Sequence, residues 1–455
     1  MSSFAIVFKM GDADEYASKL EALNTSYVDV CFPLVGLRYS LNSAASQLSK
    51  LSLAPSEVGI DFALLGGAVY AADTRISRSS YAQDGWTREI GISLPVSDPA
   101  VWDQQKETLQ ALLKFLTGDI WRFEFRDRPE KYRTIVETLE PQLPIERFTA
   151  VSLFSGGLDS LVGAIDQFQR GENPILVSHH GEWKSSVAQR DCFEKLAQQY
   201  STQRIERISS GVRFPKELFP WDHAEESTTR GRSFLFFSLA AVVASALPSG
   251  TPIYVPENGL ISLNVPIENL RLGALSTRTT HPYYIDKWSE LLGGVGLGSR
   301  LINPYQMKTK GEMLKECGNT DLLKDMIPVS ISCSDPTGSR YAGDSLNHCG
   351  RCVPCIIRRA SIRYAFDQDD TGYRLSDGDL VGGVLNTNEA TGKNYRAFQL
   401  ATGKLLRNPN IARLLIHKSG PLEGDSDKMN EYAALYLRGM KEVASVLDGV
   451  TTEPL

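Results

Sequence analysis

Hydrophobic and polar positions change period along this chain in a way that marks out three parts. From 148 to 154 a run of β-branched, aromatic and aliphatic residues reads as a strand covered on both faces, and from 158 to 168 apolar residues recur at helical spacing. The pattern then repeats: a strand at 174–178, a helix at about 185–200, a strand at 204–209, a wholly apolar helix within 234–247 and a strand at 252–255. Strands alternating with helices predict an α/β fold, a parallel sheet doubly wound with helices on both faces, over residues 148–365.

Residues 1–147 read differently, as a separate N-terminal α+β accessory domain. Strands are expected at 4–8, 28–37, 86–94 and 121–125, with helices at 56–71 and 103–116, the second ending near Gly118. Arg75, Arg78 and Arg88 could line an anion or partner site there, against the plainer reading of solvated surface. After Phe366 an Asp-rich break opens a helical C-terminal appendage, 366–455, with helical stretches at 395–406 and 431–447 and a disordered end.

Over 455 residues, 42% hydrophobic and 22% charged residues describe an ordinary soluble globular protein with room for two or three domains. A net charge of −6 argues against a general nucleic-acid-binding surface. No charged segment followed by an apolar one opens the chain, and the run 234–247 is too short to cross a bilayer, so a cytoplasmic location and no membrane partner are expected.

The chemistry concentrates where the 148–154 strand stops in Ser155-Gly-Gly-Leu-Asp-Ser160. Gly156 and Gly157 let amide groups approach a phosphate, the following helix offers its unpaired N–H groups, and Ser155 and Ser160 add hydroxyls. Asp159 beside a phosphate is repulsive unless a divalent cation lies between them, which implies Mg²⁺; the competing reading makes Asp159 a helix cap. No Gly-Lys-Ser/Thr follows at the spacing of a Walker A loop. The next strand ends in His179 and His180, placed by the rule for doubly wound sheets beside whatever the first loop holds. Arg230 and Arg232 open the apolar helix, where the helix dipole disfavours two cations unless an anion is bound. Glu257 and Asn258, at a strand's carboxyl end, could read a polar substrate edge, and a polar loop carrying Arg278 and His281 has the character of a binding loop.

Four of the seven cysteines cluster: Cys333, then Cys349-Gly-Arg-Cys352-Val-Pro-Cys355. Four thiolates can close a tetrahedral zinc site with no position left for water; an iron–sulfur cluster is the competing occupant.

The Ser-Gly-Gly-x-Asp-Ser stretch resembles the PP-loop of the ATP pyrophosphatase superfamily, which splits ATP between its α and β phosphates and adenylates a substrate oxygen. Within that superfamily the chain is similar to the QueC family of 7-cyano-7-deazaguanine synthases over about residues 148–365. Besides the PP-loop, Arg232 matches an arginine of the Gly-Arg-Asn-x-x-Phe-Leu segment, and Lys310 in Thr-Lys-x-Glu matches a lysine preferred over Lys308. His348-Cys-Gly-x-Cys-x-x-Cys-x-x-Arg358 looks like the zinc element. The chain departs from the family at 276–282, where Ser-Gly-Tyr-Pro-Asp-Cys would stand, and in both terminal parts. Such enlarged relatives resemble components of bacterial antiphage cassettes, the Qat system and one class of CBASS.

The resemblance implies an ATP-dependent, AMP- and pyrophosphate-forming carbon–nitrogen ligase with ATP, Mg²⁺ and Zn²⁺. Asp159, Ser160, Arg232 and Lys310 would be catalytic. Ser155, Gly156, Gly157, Asp159, Ser160 and His179 would bind the nucleotide, and Glu257, Asn258, Arg278 and His281 the substrate. Cys333, Cys349, Cys352 and Cys355 would hold structural zinc. The expected substrate is 7-carboxy-7-deazaguanine or a similar carboxylate, and the expected acceptor a protein amine in a defence system. The alternatives are ammonia as acceptor, with preQ0 as product, a non-catalytic ATP sensor, and a tRNA-modifying enzyme disfavoured by the acidic charge.

Overall fold

Four parallel strands build the first sheet: β1 (Ser3–Lys9), β2 (Asn24–Asp29), β3 (Glu89–Val96) and β4 (Ile120–Asp127), in the order β2-β1-β3-β4. The computed structural model that contains them describes residues 3–31, 36–82, 84–136, 148–181, 183–221, 226, 230–268, 278–335 and 348–454. Helices α1 (Ser43–Lys50), α2 (Glu57–Arg75) and α3 (Lys106–Thr117) come between or before these strands in sequence.

The N-terminal part is therefore α/β, a correction to the α+β expectation. β3 explains the difference. Its alternation of large apolar residues with Gly91, Ser93 and Pro95 reads as a half-solvated strand, yet seven of its eight residues are buried. The small residues face a second covered layer: a Cβ on Gly91 would lie 3.1 Å from a Leu20 methyl. Parallel sheets are covered on both faces in this way. The expected strand at 28–37 is also displaced, because β2 ends at Asp29 and Cys31 turns back to form an isolated antiparallel bridge with Leu37.

The second sheet holds β5 (Ala150–Leu153), β6 (Pro174–His179), β7 (Glu206–Ser210), β8 (Ile253–Tyr254) and β9 (Leu301–Ile302), all parallel, in the order β7-β6-β5-β8-β9. Interleaved are α4 (Leu158–Gln169), α5 (Trp183–Gln199), α6 (Gly231–Ala244), α7 (Gly259–Leu263) and α8 (Pro282–Gly294). Val151 pairs with Ile175 on one side and Ile253 on the other, so strand order reverses about β5. The crevice at the carboxyl ends of β5 and β8 is thus the topological switch point, where ligands bind in open α/β sheets.

The two sheets are not separately packed. One hydrophobic core runs from Phe4 through α2 and α6 to Leu301. Small residues let the helices approach: a Cβ on Gly66 would lie 2.6 Å from Ser238 Cβ, and Gly59 faces Ser245. Arg78 and Arg88, read from sequence as a candidate surface site, are buried here. Arg88 Nη2 lies 2.7 Å from Asp73 and 2.8 Å from Asp119, and Arg78 Nη1 is 2.7 Å from Asp119. These charges are paired inside the fold, as buried charges must be.

Beyond β9 follow α9 (Lys310–Lys315) and α10 (Val353–Phe366), then the C-terminal part with α11 (Ala390–Arg407) and α12 (Ser426–Ser445). It is mainly helical, as expected, and packs Tyr395, Phe398, Tyr432 and Leu435 in one core with Ile356 and Ile357 of α10 and Leu260 and Leu263 of α7. The expectation of a disordered end is corrected: β11 (Thr451–Glu453) pairs in parallel with β10 (Val384–Asn386). Among the described residues no helix is long and apolar enough to cross a membrane.

Candidate functional site at the switch point

The turn after β5 is shaped by Gly156, whose φ of +77° is left-handed and whose Cβ would lie 2.8 Å from the Gln189 backbone nitrogen. Only glycine fits both demands. Gly157 is the N-cap of α4 and supplies no side-chain cap. Ser160 Oγ donates to the Gly157 carbonyl at 2.9 Å and lies 3.2 Å from Ser155 Oγ, while the Gly157 amide donates to Ser155 Oγ at 3.3 Å. Two hydroxyls and the open end of a twelve-residue helix therefore face one place.

Asp159 does not cap that helix. Its Oδ2 accepts from Asn258 Nδ2 at 2.8 Å, and its Oδ1 lies 2.9 Å from Lys310 Nζ, with both partners of the ion pair buried. Glu257 is the fourth member: Asn258 Nδ2 also donates to Glu257 Oε1 at 3.2 Å, so one amide bridges the two carboxyls. Burial, followed by the Asp159 charge, raises the Glu257 carboxyl well above the ordinary range. Burial alone would raise Asp159 too, but the Lys310 ammonium and the surrounding donors outweigh it and hold Asp159 ionised. Their common surroundings thus push the two carboxyls apart, Glu257 up and Asp159 down.

The elements explain the convergence. Asp159 stands in the first turn of α4 after β5, Glu257 and Asn258 follow β8, and Lys310 opens α9 after β9. Asn258 caps α7 by accepting from the Ile261 amide at 3.0 Å while its amide braces both carboxyls, so it orients the acidic pair rather than forming a bare turn.

His179, at the end of β6, is buried, and neither ring nitrogen has a hydrogen-bond partner among the described residues. Its ring meets Tyr70 of α2 edge-on at 6.0 Å. Burial and then the Arg232 charge push its pKa down to about 3, so it is a neutral imidazole with two unused polar atoms. His180 continues the sheet through a backbone bond to Ser210 and sets its Nδ1 3.3 Å from Ser209 Oγ. Gln189, which the sequence did not single out, donates to the Ser155 carbonyl at 3.4 Å and the His179 carbonyl at 3.1 Å, tying the two loops together.

The paired arginines at the start of α6 separate into two roles. Arg230 turns toward the N-terminal sheet, donating to the Thr117 carbonyl at 3.0 Å and lying 4.2 Å from the Trp86 ring centre. The anion that the sequence demanded there is internal, since Asp73 Oδ2 accepts from the Gly231 amide at 2.7 Å. Arg232 is the member whose charge reaches His179.

Arg278 and His281 come together against the N-terminal part. Arg278 lies over the Phe115 ring at 5.0 Å, and His281 packs on the same ring at 5.1 Å. His281 caps α8 through Nδ1, which accepts from the Tyr283 amide at 3.3 Å. It thus serves as a helix cap packed on Phe115. Their loop touches the start of α6, where Ser233 Oγ donates to Thr279 Oγ1 at 3.4 Å. Residues 276 and 277, part of the segment where the QueC resemblance lapses, lie outside the described residues.

The Sγ atoms of Cys333, Cys349, Cys352 and Cys355 all lie within 4.8 Å of one another, a set that could hold a metal ion. Backbone amides of Asp335, Arg351 and Cys352 point at these sulfurs at 3.3–3.4 Å. His348 is not among the ligands; its Nε2 accepts from the Ser332 amide at 3.3 Å. The cluster is linked to the turn after β5: Arg358 of α10 donates to Ser330 and Ser332 hydroxyls and the Ile327 carbonyl, and the Ile331 amide donates to the Gly156 carbonyl at 2.9 Å.

No family model, curated protein or solved structure matches the chain.

Proposed function

We propose that the protein is an ATP-dependent ligase that adenylates a carboxylate of the 7-carboxy-7-deazaguanine type and passes the acyl group to an amine. The observation that carries this reading is Asp159. It is held ionised between Lys310 and Asn258 at the switch point, one residue from Ser160 and the open α4 terminus, and takes no part in capping that helix.

Two carboxyls brought together by the Asn258 amide fit a divalent cation, so Asp159 and Glu257 would hold the Mg²⁺ that accompanies ATP. Bound there, the cation supplies neutralisation of phosphate charge. The chain's own groups do the rest. Ser155, Ser160 and the amides of the Gly156–Gly157 turn bind phosphate oxygens, and Lys310 and Arg232 draw off charge that grows on them. The neutral His179 offers ring nitrogens to the nucleotide.

In the reaction a substrate carboxylate oxygen bonds to the α-phosphorus of ATP, the bond to the β-phosphate oxygen breaks and pyrophosphate leaves. An amine nitrogen then bonds to the acyl carbon, the bond to AMP breaks, and the amine proton passes to solvent. The N-terminal part, packed against the sheet that carries the site, and the C-terminal part, packed against α7 and α10, favour an amine presented by a protein over free ammonia. A defence role rests on the resemblance alone.

The cysteine cluster is read as structural zinc. Sγ separations of 3.9 Å for Cys333–Cys352 and 4.0 Å for Cys349–Cys355 are close to the edge of about 3.8 Å set by four zinc–sulfur bonds of about 2.3 Å. A multi-iron cluster places iron and sulfide between the thiolates and spreads them further.

The test supplies ATP, Mg²⁺ and 7-carboxy-7-deazaguanine, with ammonium or with candidate partner proteins, and measures AMP, pyrophosphate and intact protein mass. Equal yields of AMP and pyrophosphate that depend on the carboxylate are expected. ADP and phosphate, or no turnover with any carboxylate, would overturn the reading.

A further inference from the structure

Lys310 is buried although nothing in its own six-residue helix is long enough to fix it there. What fixes it comes from the far end of the chain. Glu442, on α12, accepts from the Thr309 hydroxyl and, at 3.1 Å, from the Gly311 amide, so it grips the residues on either side of Lys310. Thr309 in turn accepts from the Glu312 amide at 3.1 Å, closing a capping box with Glu312. Arg438, one turn earlier on α12, donates to Glu312 at 2.6 Å and to the Met307 carbonyl at 3.0 Å. Tyr432, two turns further back, meets Gln306 Nε2 at 2.6 Å. One face of α12 thus grips the whole turn that delivers Lys310.

The same helix reaches the other arm of the acidic cluster. A Cβ on Gly259, next to Asn258, would run into the Leu435 side chain and the Gln306 carbonyl. The two loops that carry Glu257–Asn258 and Lys310 are therefore both seated on α12.

We propose that Glu442 is a positioning residue for the reaction. It acts through Thr309 and Gly311 to hold Lys310 against Asp159, which makes the C-terminal part a component of the site and not an appendage. The inference rests on the functional reading above as far as turnover is concerned, but the placement of Lys310 can be read without turnover. The neighbouring charged groups are Glu312 and Arg438, and Tyr364 of α10 lies against Gly311.

The experiment compares the full-length protein with Glu442→Ala and Glu442→Gln by two readouts. One is kcat and KM for pyrophosphate release. The other is the labelling rate of Lys310 by an amine-reactive reagent, followed by peptide mass. Glu442→Ala is expected to lower kcat about tenfold or more, with KM for ATP less affected, because displacement of a charged group by about 1 Å costs that order of rate. Lys310, protected in the wild type, should label several-fold faster. Glu442→Gln keeps the side chain's shape and one acceptor and should fall between, which also covers the case in which the alanine variant does not fold.

Wild-type kcat together with wild-type protection of Lys310 in Glu442→Gln would overturn the proposal. So would a loss of activity in both variants with Lys310 still protected, since Glu442 would then act by another route. A wild-type protein that forms no AMP, but whose Lys310 becomes exposed in the variants, would sustain the positioning role while sinking the ligase reading.

Discussion

Asp159 Oδ1 lies 2.9 Å from Lys310 Nζ, and this buried pair joins the helix that follows the first strand of the second sheet to the helix that follows its last. The pair makes each partner depend on the other, because removing one leaves the other charged and unsolvated. Lys310→Met is expected to cost about 3–5 kcal/mol of stability and to lower pyrophosphate release by about two to three orders of magnitude. Asp159→Asn combined with Lys310→Met should recover most of the stability and none of the activity. Urea unfolding and turnover measured on the same preparations decide it, and an unchanged unfolding midpoint in Lys310→Met would contradict the buried-pair account.

Glu442 gives the fold a pH dependence whose sign follows from its surroundings. Burial raises its carboxyl from an ordinary 4.5 to about 7, despite the bonds from Thr309 and Gly311. A raised carboxyl pKa means the folded chain binds the proton more tightly than the unfolded chain. The resulting stabilisation is complete below pH 4.5 and is lost as pH rises toward 7. Glu257, also raised, works in the same direction, whereas Asp159, lowered from 3.8 to about 2, contributes stability that is lost only as pH falls through that lower range. The difference between wild type and Glu442→Gln isolates the one group. Unfolding free energy of the wild type should fall relative to the variant between pH 5 and 7, and parallel curves would show that Glu442 does not titrate there.

How much of this was legible in the sequence depends on whether the signal was local. The strand, turn and helix around Gly156 and the cysteine spacing are local, and both stand where the pattern put them. Lys310 was reached by resemblance and does meet Asp159. Glu442, Gln189 and Asp73 could not be found that way, because each acts on a loop distant in sequence through one or two hydrogen bonds that leave no periodic trace. Arg230 and His281 misled for the complementary reason. Polar residues at a helix start look like ligand groups, but their partners, the Thr117 carbonyl and the Tyr283 amide, belong to the fold itself.

Metal removal should be felt at the Gly156 turn as well as at the cysteines. The path runs from Cys355 through Arg358 on the same helix to Ser330, and from the adjoining Ile331 amide to the Gly156 carbonyl. One zinc per chain is expected by elemental analysis. Its chelation, or Cys355→Ser, should lower the melting temperature and raise hydrogen exchange at Ile331. Intact exchange protection at Ile331 in a fully demetallated chain would break the link.

The N-terminal part should prove inseparable from the sheet that carries the site. α6 is apolar on nearly every side, with eleven of its fourteen residues buried, and α2 covers one of its faces through Gly59 and Gly66. A helix of this kind is stable only when enclosed. Exposing it forfeits roughly 1.5–3 kcal/mol for each large apolar side chain uncovered, more than a marginally stable fold can lose. A fragment beginning at residue 148 is therefore expected to aggregate or to bind hydrophobic dyes without a cooperative melt. In the full chain, Gly66→Val drives a branched side chain into Ser238 and should cost about 1–3 kcal/mol. Because Arg232 lies on the same helix and its charge bears on His179, that wedge should also weaken ATP binding from a distance. A soluble, cooperatively folding fragment with wild-type nucleotide affinity would restore the view of residues 1–147 as an independent domain.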